Sequence, residues 1–290
     1  MFTGVFTAIV TPFINGELDE ESLRSLIEFQ ITKGIDGIVP CGTTGESPTL
    51  DFDEYKRVVG ITVEVARKRI PVVAGAGSNA TAKAVELTRC AKQLGVDATL
   101  QVTPYYNKPT SEGLYQHFKK VAEVGLPMVI YNVPGRTGIN ITPETVVHLS
   151  KIPEVAAIKE ASGDISQIAD ISRLCGDRLR LLSGDDAMTL PVLSVGGKGV
   201  ISVISNILPD KMVEICRAWQ AGDWAKALEN HAGLLPLIRA MFMESNPIPI
   251  KTALMMKGLI KSAELRLPLC AMSETNREKL AQVLKEAGVL

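Results

Sequence analysis

Residues 127–160 read PMVIYNVPGRTGINITPETVVHLSKIPEVAAIKE. Two β-rich pieces, 127–133 and 155–160, flank a helical piece at 142–149. Thr142 can cap that helix and Pro143 suits its first turn. The strand pieces are continuous apolar runs, as expected of parallel strands covered on both faces. Working outward, the same unit recurs. Strand patterns lie at 5–11, 37–41, 71–75 and 98–103 before this stretch, and at 179–183 and 199–204 after it. Helical patterns fall between them at 19–33, 51–69, 81–94, 111–124, 165–175 and 188–195. Leu23, Leu26, Ile27 and Ile31 recur at helical spacing in the first; Val58, Val59, Val63 and Val65 do so in the second. Asp51, Thr81 and Ser111 are further candidate caps. Eight strand–helix units predict an α/β fold, a closed (β/α)8 TIM barrel, a fold that commonly takes about 250 residues. An open doubly wound sheet is the alternative. Helical patterns at 210–242 (broken near Gly222), 248–262 and 273–287, punctuated by Pro247, Pro249 and Pro268, follow the eighth strand. They predict a barrel over 1–222 and a C-terminal helical extension over 223–290.

Composition narrows the function. The 290 residues are 46% hydrophobic and 22% charged, ordinary for a globular protein. Lys+Arg is 31 and Asp+Glu 32, a net charge of −1, so the basic excess of a nucleic-acid or membrane-surface protein is missing. No apolar run approaches the roughly 20 residues needed to span a bilayer. The N-terminus, MFTGVFTAIVTPF, lacks a basic n-region and a small-residue cleavage site, which argues against a signal peptide. Cys41, Cys90, Cys175, Cys216 and Cys270 are odd in number and widely spaced, so a disulfide framework is not expected and a reducing cytoplasm fits. His117, His148 and His231 lie far apart, which leaves no ligand set for a transition metal.

A parallel barrel carries its site at the carboxyl ends of its strands. Those ends supply Gly42-Thr43-Thr44-Gly45-Glu46, Tyr105-Tyr106-Asn107, Tyr131 with Arg136, Lys159-Glu160, Gly184-Asp185-Asp186, and Ile201-Ser202. Lys159 is the most informative. Alternation places Ala157, Lys159 and Ala161 on one strand face, with Ile158 and Glu160 on the other. Burial among small residues should depress an ammonium's pKa. A fall from about 10.4 to about 7–8 enriches the neutral amine by two to three orders of magnitude, worth roughly 3–5 kcal/mol. A neutral amine can attack a ketone and form a Schiff base. A lysine that snorkels to the rim or pairs with a carboxylate fits the same position, and position alone does not choose. Tyr131 could relay protons and Arg136 could grip a carboxylate; a rim tyrosine and a solvated arginine are the plainer reading.

Two other signals compete. Gly75-Ala76-Gly77-Ser78-Asn79-Ala80 fits a G-x-G-x-x-A dinucleotide fingerprint, but it falls in the third βα unit, and Asp97 precedes the next strand where the fingerprint wants an acid at its end. Glu46, Glu160, Asp185 and Asp186 could suggest a glycosidase pair. Asp185 and Asp186 are adjacent and point apart in extended backbone, and Trp219 and Trp224 both sit in or beside the extension. Cys41 reads as a small buried hydrophobe.

Taken together, TPF at 11–13, GTTGES at 42–47, PYYNKP at 104–109, YNVPGRTG at 131–138, IKEASGD at 158–164 and SGDD at 183–186 resemble the dihydrodipicolinate synthase family of pyruvate-dependent Schiff-base aldolases. The resemblance covers the whole chain. It implies a lyase that condenses pyruvate with L-aspartate 4-semialdehyde to 4-hydroxy-tetrahydrodipicolinate, the first committed step towards diaminopimelate and L-lysine. It implies that Lys159 forms the imine and that Thr43 and Thr44 hold the pyruvate carboxylate. Tyr131 would shuttle protons, with Thr44 linking it to Tyr106 of a neighbouring subunit. Arg136 would bind the aldehyde's carboxylate, and Gly184 and Ile201 would line the pyruvate pocket through backbone groups. No cofactor or metal is implied. A dimer would be the minimal active unit and a homotetramer, a dimer of dimers, the usual assembly.

Arg136 favours this branch over the sialic-acid and keto-deoxy sugar-acid aldolases that resemble it, because those lack an arginine at that loop position. A catalytically silent barrel binding a keto acid is the non-enzymatic alternative. One departure concerns the interface pocket where lysine-inhibited members bind their effector. Its positions here are Ser47, Pro48, Phe52, Tyr55, Asn79, Lys83 and Tyr105. Phe52 and Tyr55 replace histidines and Lys83 replaces an acid, so a cation there would repel the lysine ammonium. Weak or absent feedback inhibition by L-lysine is expected.

Overall fold

The computed structural model describes all 290 residues. In chain order the elements are β1 (Gly4–Ala8), β2 (Phe13–Ile14), β3 (Glu17–Leu18), α1 (Glu20–Thr32), β4 (Gly37–Val39), α2 (Phe52–Ala66), β5 (Val73–Gly75), α3 (Thr81–Gln93), β6 (Ala98–Val102), α4 (Ser111–Ala122) and β7 (Met128–Asn132). The second half comprises α5 (Pro134–Thr137), α6 (Pro143–Leu149), β8 (Val155–Glu160), α7 (Ile165–Cys175), β9 (Arg180–Ser183), α8 (Thr189–Ser194), β10 (Gly199–Ser202), α9 (Pro209–Gln220), α10 (Trp224–Ala240), α11 (Ile248–Met256) and α12 (Glu274–Glu286).

Eight parallel strands pair in the order β4-β1-β10-β9-β8-β7-β6-β5. A bridge between Ile38 and Val72, with the Gly75 N–H donating to the Pro40 carbonyl at 2.9 Å, closes the ring. The doubly wound alternative is therefore excluded. Glycines set how closely neighbours approach. A Cβ on Gly199 would lie 1.9 Å from the Gly4 carbonyl oxygen, and one on Gly37 would lie 2.2 Å from the Phe6 ring.

Side chains divide by face as period-two alternation requires. Phe6, Val39, Val73, Leu100, Val129, Tyr131, Ala157, Leu182 and Ile201 fill the barrel interior. Ile130 and Ile158, one residue away from Val129 or Ala157, pack outward against Phe118, Leu149 and Ile168 of the surrounding helices. A larger core joins barrel and extension: Val5, Ile9 and Ile38 belong to the same cluster as Leu237, Ile250, Leu280 and Leu284.

Local signals explain most helix starts. Asp51 accepts from the Asp53 and Glu54 N–H groups, and Glu54 reaches back to the Asp51 N–H, completing a capping box. Thr142 caps α6 and Pro143 occupies its first position. Two expected caps move by one residue. Thr110, not Ser111, accepts from the Gly113 N–H at the start of α4. Thr81 is the first residue of α3, and its hydroxyl bonds His117 Nδ1 at 3.0 Å instead of capping. The antiparallel hairpin of β2 and β3 carries no alternation long enough to be read from sequence.

The extension is pinned to the barrel mouth by charge. Lys251, on α11, is fully buried. Its ammonium lies 2.6 Å from Glu46 Oε1, donates to the Thr11 carbonyl at 2.9 Å, and stands over the Phe13 ring. The other Glu46 oxygen accepts from the Arg266 N–H at 3.0 Å, and the Arg266 guanidinium forks onto Glu54. Removing one member of a buried pair leaves the other charge uncompensated. Lys251→Met should therefore lower unfolding stability by about 3–5 kcal/mol, read as a lower urea midpoint with an unchanged slope.

Candidate active site

Lys159 lies on the inner face at the carboxyl end of β8, in register with Tyr131 on β7 and Leu182 on β9. It is 6% exposed and makes neither an ion pair nor a hydrogen bond, which removes the carboxylate-paired reading. Its ammonium lies 4.2 Å from the centre of the Tyr131 ring. Burial pushes the Lys159 pKa down to about 8; Asp186 and Asp185 work against that fall and Arg136 adds to it. Tyr131 is equally enclosed, and burial pushes its phenol up to about 12.

The room for Lys159 comes from its neighbours. A Cβ on Gly184 would sit 3.1 Å from Lys159 Cγ and 2.8 Å from the Ala161 Cβ. The Gly184 N–H donates to the Glu160 carbonyl at 2.7 Å, so its backbone is fixed against the lysine strand. Ile201 packs in the same interior cluster as Tyr131.

Tyr131, Val133, Arg136, Thr137 and Thr43 border a cavity of about 390 Å³. Thr43 and Thr44 part company here. Thr43 is half-buried in the cavity wall, whereas Thr44 is buried and its hydroxyl accepts from Asn246 Nδ2 at 2.9 Å. Thr43 and Tyr131 thus border the same cavity, and Thr44 is not in its wall. Arg136 sits on the short helix α5, largely exposed, with one nitrogen donating to the Asn246 carbonyl at 3.3 Å. Tyr106 is not in the cavity wall, although its N–H reaches the Thr137 carbonyl at 3.4 Å. It is 90% exposed and held at φ +72°.

Of the interface-pocket positions, Ser47, Pro48, Phe52, Tyr55, Lys83 and Tyr105 line the same cavity, while Asn79 offers its carbonyl to Asn107 Nδ2 and is not in the wall. Lys83 pairs with Glu86 and, together with Lys56, stands over the Phe52 ring. The Tyr55 hydroxyl is buried without a partner.

The competing motifs resolve as packing. A Cβ on Gly75 would meet the Cys41 carbonyl oxygen at 2.0 Å, and one on Gly77 the Val102 nitrogen at 2.3 Å. These glycines let strands approach; they do not cradle a pyrophosphate. Asp185 caps the turn after β9 by accepting from the Ala187 N–H. Asp186 is buried and accepts from the Val203 and Ile204 N–H groups, so the two carboxylates do not form a pair. Cys41 is buried, which drives its thiol pKa well up.

Sequence patterns assign no role to Asn246. It reaches Thr44 across 202 positions, and only the preceding Glu244-Ser245 and following Pro247 mark its turn.

The family model described as the dihydrodipicolinate synthetase family matches residues 1–287. The chain belongs to this family. It is 57% identical to the 4-hydroxy-tetrahydrodipicolinate synthase of Nitratidesulfovibrio vulgaris, over 100% of this chain and 99% of that one. It is 55% identical to the enzyme of the same name from Thermodesulfovibrio yellowstonii, over 100% of both. A chloride-inhibited dihydrodipicolinate synthase from Acinetobacter baumannii, solved in complex with pyruvate, superposes with a TM-score of 0.98 at 44% identity and full coverage of both chains. No helix is long and apolar enough to cross a membrane.

Two outcomes follow from the crowding around Lys159. Gly184→Ala should leave the far-ultraviolet spectrum intact, yet slow borohydride trapping of a keto acid on Lys159 by about tenfold or more, given how sharply misplacement penalises a reacting group. A nucleophilic Lys159 would react as the neutral amine, so the trapping rate should rise about tenfold per pH unit below pH 8 and level off above it.

Proposed function

We propose that this chain joins pyruvate to L-aspartate 4-semialdehyde through an imine on Lys159, yielding 4-hydroxy-tetrahydrodipicolinate. The observation that carries this reading is the unpaired, buried ammonium of Lys159 against the Tyr131 ring. The Lys159 nitrogen adds to C2 of pyruvate, and loss of water gives the imine. Loss of a proton from the methyl carbon gives the enamine, whose carbon attacks the aldehyde. The amine of the second substrate then adds to C2, closing the ring and expelling the Lys159 amine. The order is ping-pong.

Tyr131 moves the protons to and from the imine carbon and the aldehyde oxygen. Thr43, in the cavity wall beside Tyr131, is the hydroxyl we assign to the proton link, and Thr44 keeps the loop in place through Asn246. Backbone groups at Thr43, Gly184 and Ile201 are suited to the pyruvate end. The guanidinium of Arg136 at the cavity wall supports its binding the carboxylate of the aldehyde, which sets this substrate apart from hydroxylated sugar acids. The near-total exposure of Tyr106 supports its use by a second copy of the chain, in a dimer or a dimer of dimers. The cation at Lys83 supports insensitivity to L-lysine.

Incubation with pyruvate and borohydride tests the imine: a stable adduct on Lys159 is expected, and an unmodified lysine would overturn the reading. Arg136→Ala should reduce kcat/KM for L-aspartate 4-semialdehyde by about 100-fold, the scale of a lost charged contact of about 2–3 kcal/mol, while leaving trapping of pyruvate within about threefold. L-lysine at millimolar concentration should inhibit the initial rate weakly or not at all, and strong inhibition would overturn this expectation.

A further inference from the structure

Asn132 and Glu160 immediately follow Tyr131 and Lys159, and the two strands pair Tyr131 with Lys159 and Asn132 with Glu160. Alternation turns the first pair into the barrel and the second pair out towards the helices. Glu160 is 1% exposed, yet no lysine or arginine pairs with it. Its carboxylate accepts from the Ser162 N–H at 2.7 Å and from Asn132 Nδ2 at 3.0 Å and 3.3 Å. Asn132 is fully buried. Its Nδ2 also donates to Asn140 Oδ1 at 2.8 Å, and its Oδ1 accepts from the Ile141 N–H at 3.0 Å. Asn140 and Gln167 exchange reciprocal amide bonds, so the chain of donors and acceptors ends on α7.

A buried carboxylate without a cation is an expensive way to join two strands that an apolar pair would join as well. What it adds is direction. The two Asn132 Nδ2 hydrogens are shared between Asn140 Oδ1 and the Glu160 carboxylate, which fixes the ends of β7 and β8 relative to each other and to the loops at 140–141 and 162.

We infer that Asn132 and Glu160 are positioning residues that hold Tyr131 against Lys159 from the outer face of the barrel. The inference rests on the function proposed above for Lys159 and Tyr131. Neither residue touches the substrate; each acts through the side chain one position before it.

Exchanging the polarity of the pair tests this. In Glu160→Gln an amide donor faces the Asn132 donor. In Asn132→Asp one carboxylate faces another. In the double variant the bonds can all be remade. The carboxylate introduced at position 132 accepts from the Ile141 N–H and from the glutamine amide introduced at position 160, whose oxygen takes the Ser162 N–H. Asn140 and Gln167 turn their amides over together. Each single variant should keep its fold by circular dichroism and lose kcat by about 10- to 100-fold with KM for pyruvate within about threefold, as a misplaced proton carrier would. The double variant should recover to within about fivefold of the parent. Single variants with parental kcat, or a folded double variant no faster than the slower single one, would overturn the role. If a single variant does not fold, the double variant decides alone: kcat within about fivefold of the parent supports the role, and a larger loss overturns it. Borohydride trapping of the parent separates the two ideas. No adduct defeats the proposed function and this role with it, whereas an adduct with unmoved kcat defeats only the role of the pair.

Discussion

An amino group held inside an apolar barrel without a counter-charge is the constraint around which this structure is arranged. Desolvation disfavours the charged form of Lys159, and nothing within ion-pairing distance restores it. The interior must therefore supply space in place of charge. Ala157, Ala161 and Gly184 supply it, and Tyr131 covers the nitrogen with its ring. The two nearest acids are kept busy elsewhere. Asp185 caps a turn, and Asp186 receives two backbone N–H groups from the end of β10.

The second condition is that the loop after β4 be rigid. Its carboxylate, Glu46, sits in the left-handed region at φ +53° and is almost wholly buried. The residues that make this tolerable come from α11 and the segment after it, through Lys251 and the Arg266 N–H. Asn246 adds a bond to Thr44 and another to Arg136. The extension thus contributes to the mouth of the barrel although it contributes no strand.

The fold was legible because its determinants are local. Eight apolar runs, each followed by a helical period, specify eight units, and the closing contact between Ile38 and Val72 needs no further signal. Lys159, Tyr131 and Arg136 were legible because they stand at strand ends, where a parallel barrel concentrates chemistry. Less legible was the choice between Thr43 and Thr44. Adjacent hydroxyls look alike in a sequence, and only the fold shows Thr44 buried against a partner 202 positions away while Thr43 borders the cavity. Lys251 was silent for the same reason: a lysine in an apolar helix shows its purpose only when Glu46 is seen beside it. The glycines at 75 and 77 carried a misleading pattern, since a requirement for close strand approach and a requirement for phosphate contact select the same residue.

The pairing of Glu46 with Lys251 also bears on how the molecule comes into being. Synthesis runs from the N-terminus, so Glu46 is made some 200 codons before its eventual partner is read. Until α11 is free to dock, that acid has no buried cation to meet and its loop has no reason to settle. Strands and helices can assemble as they appear, but the pocket's first wall is finished by a segment made some 200 residues after it.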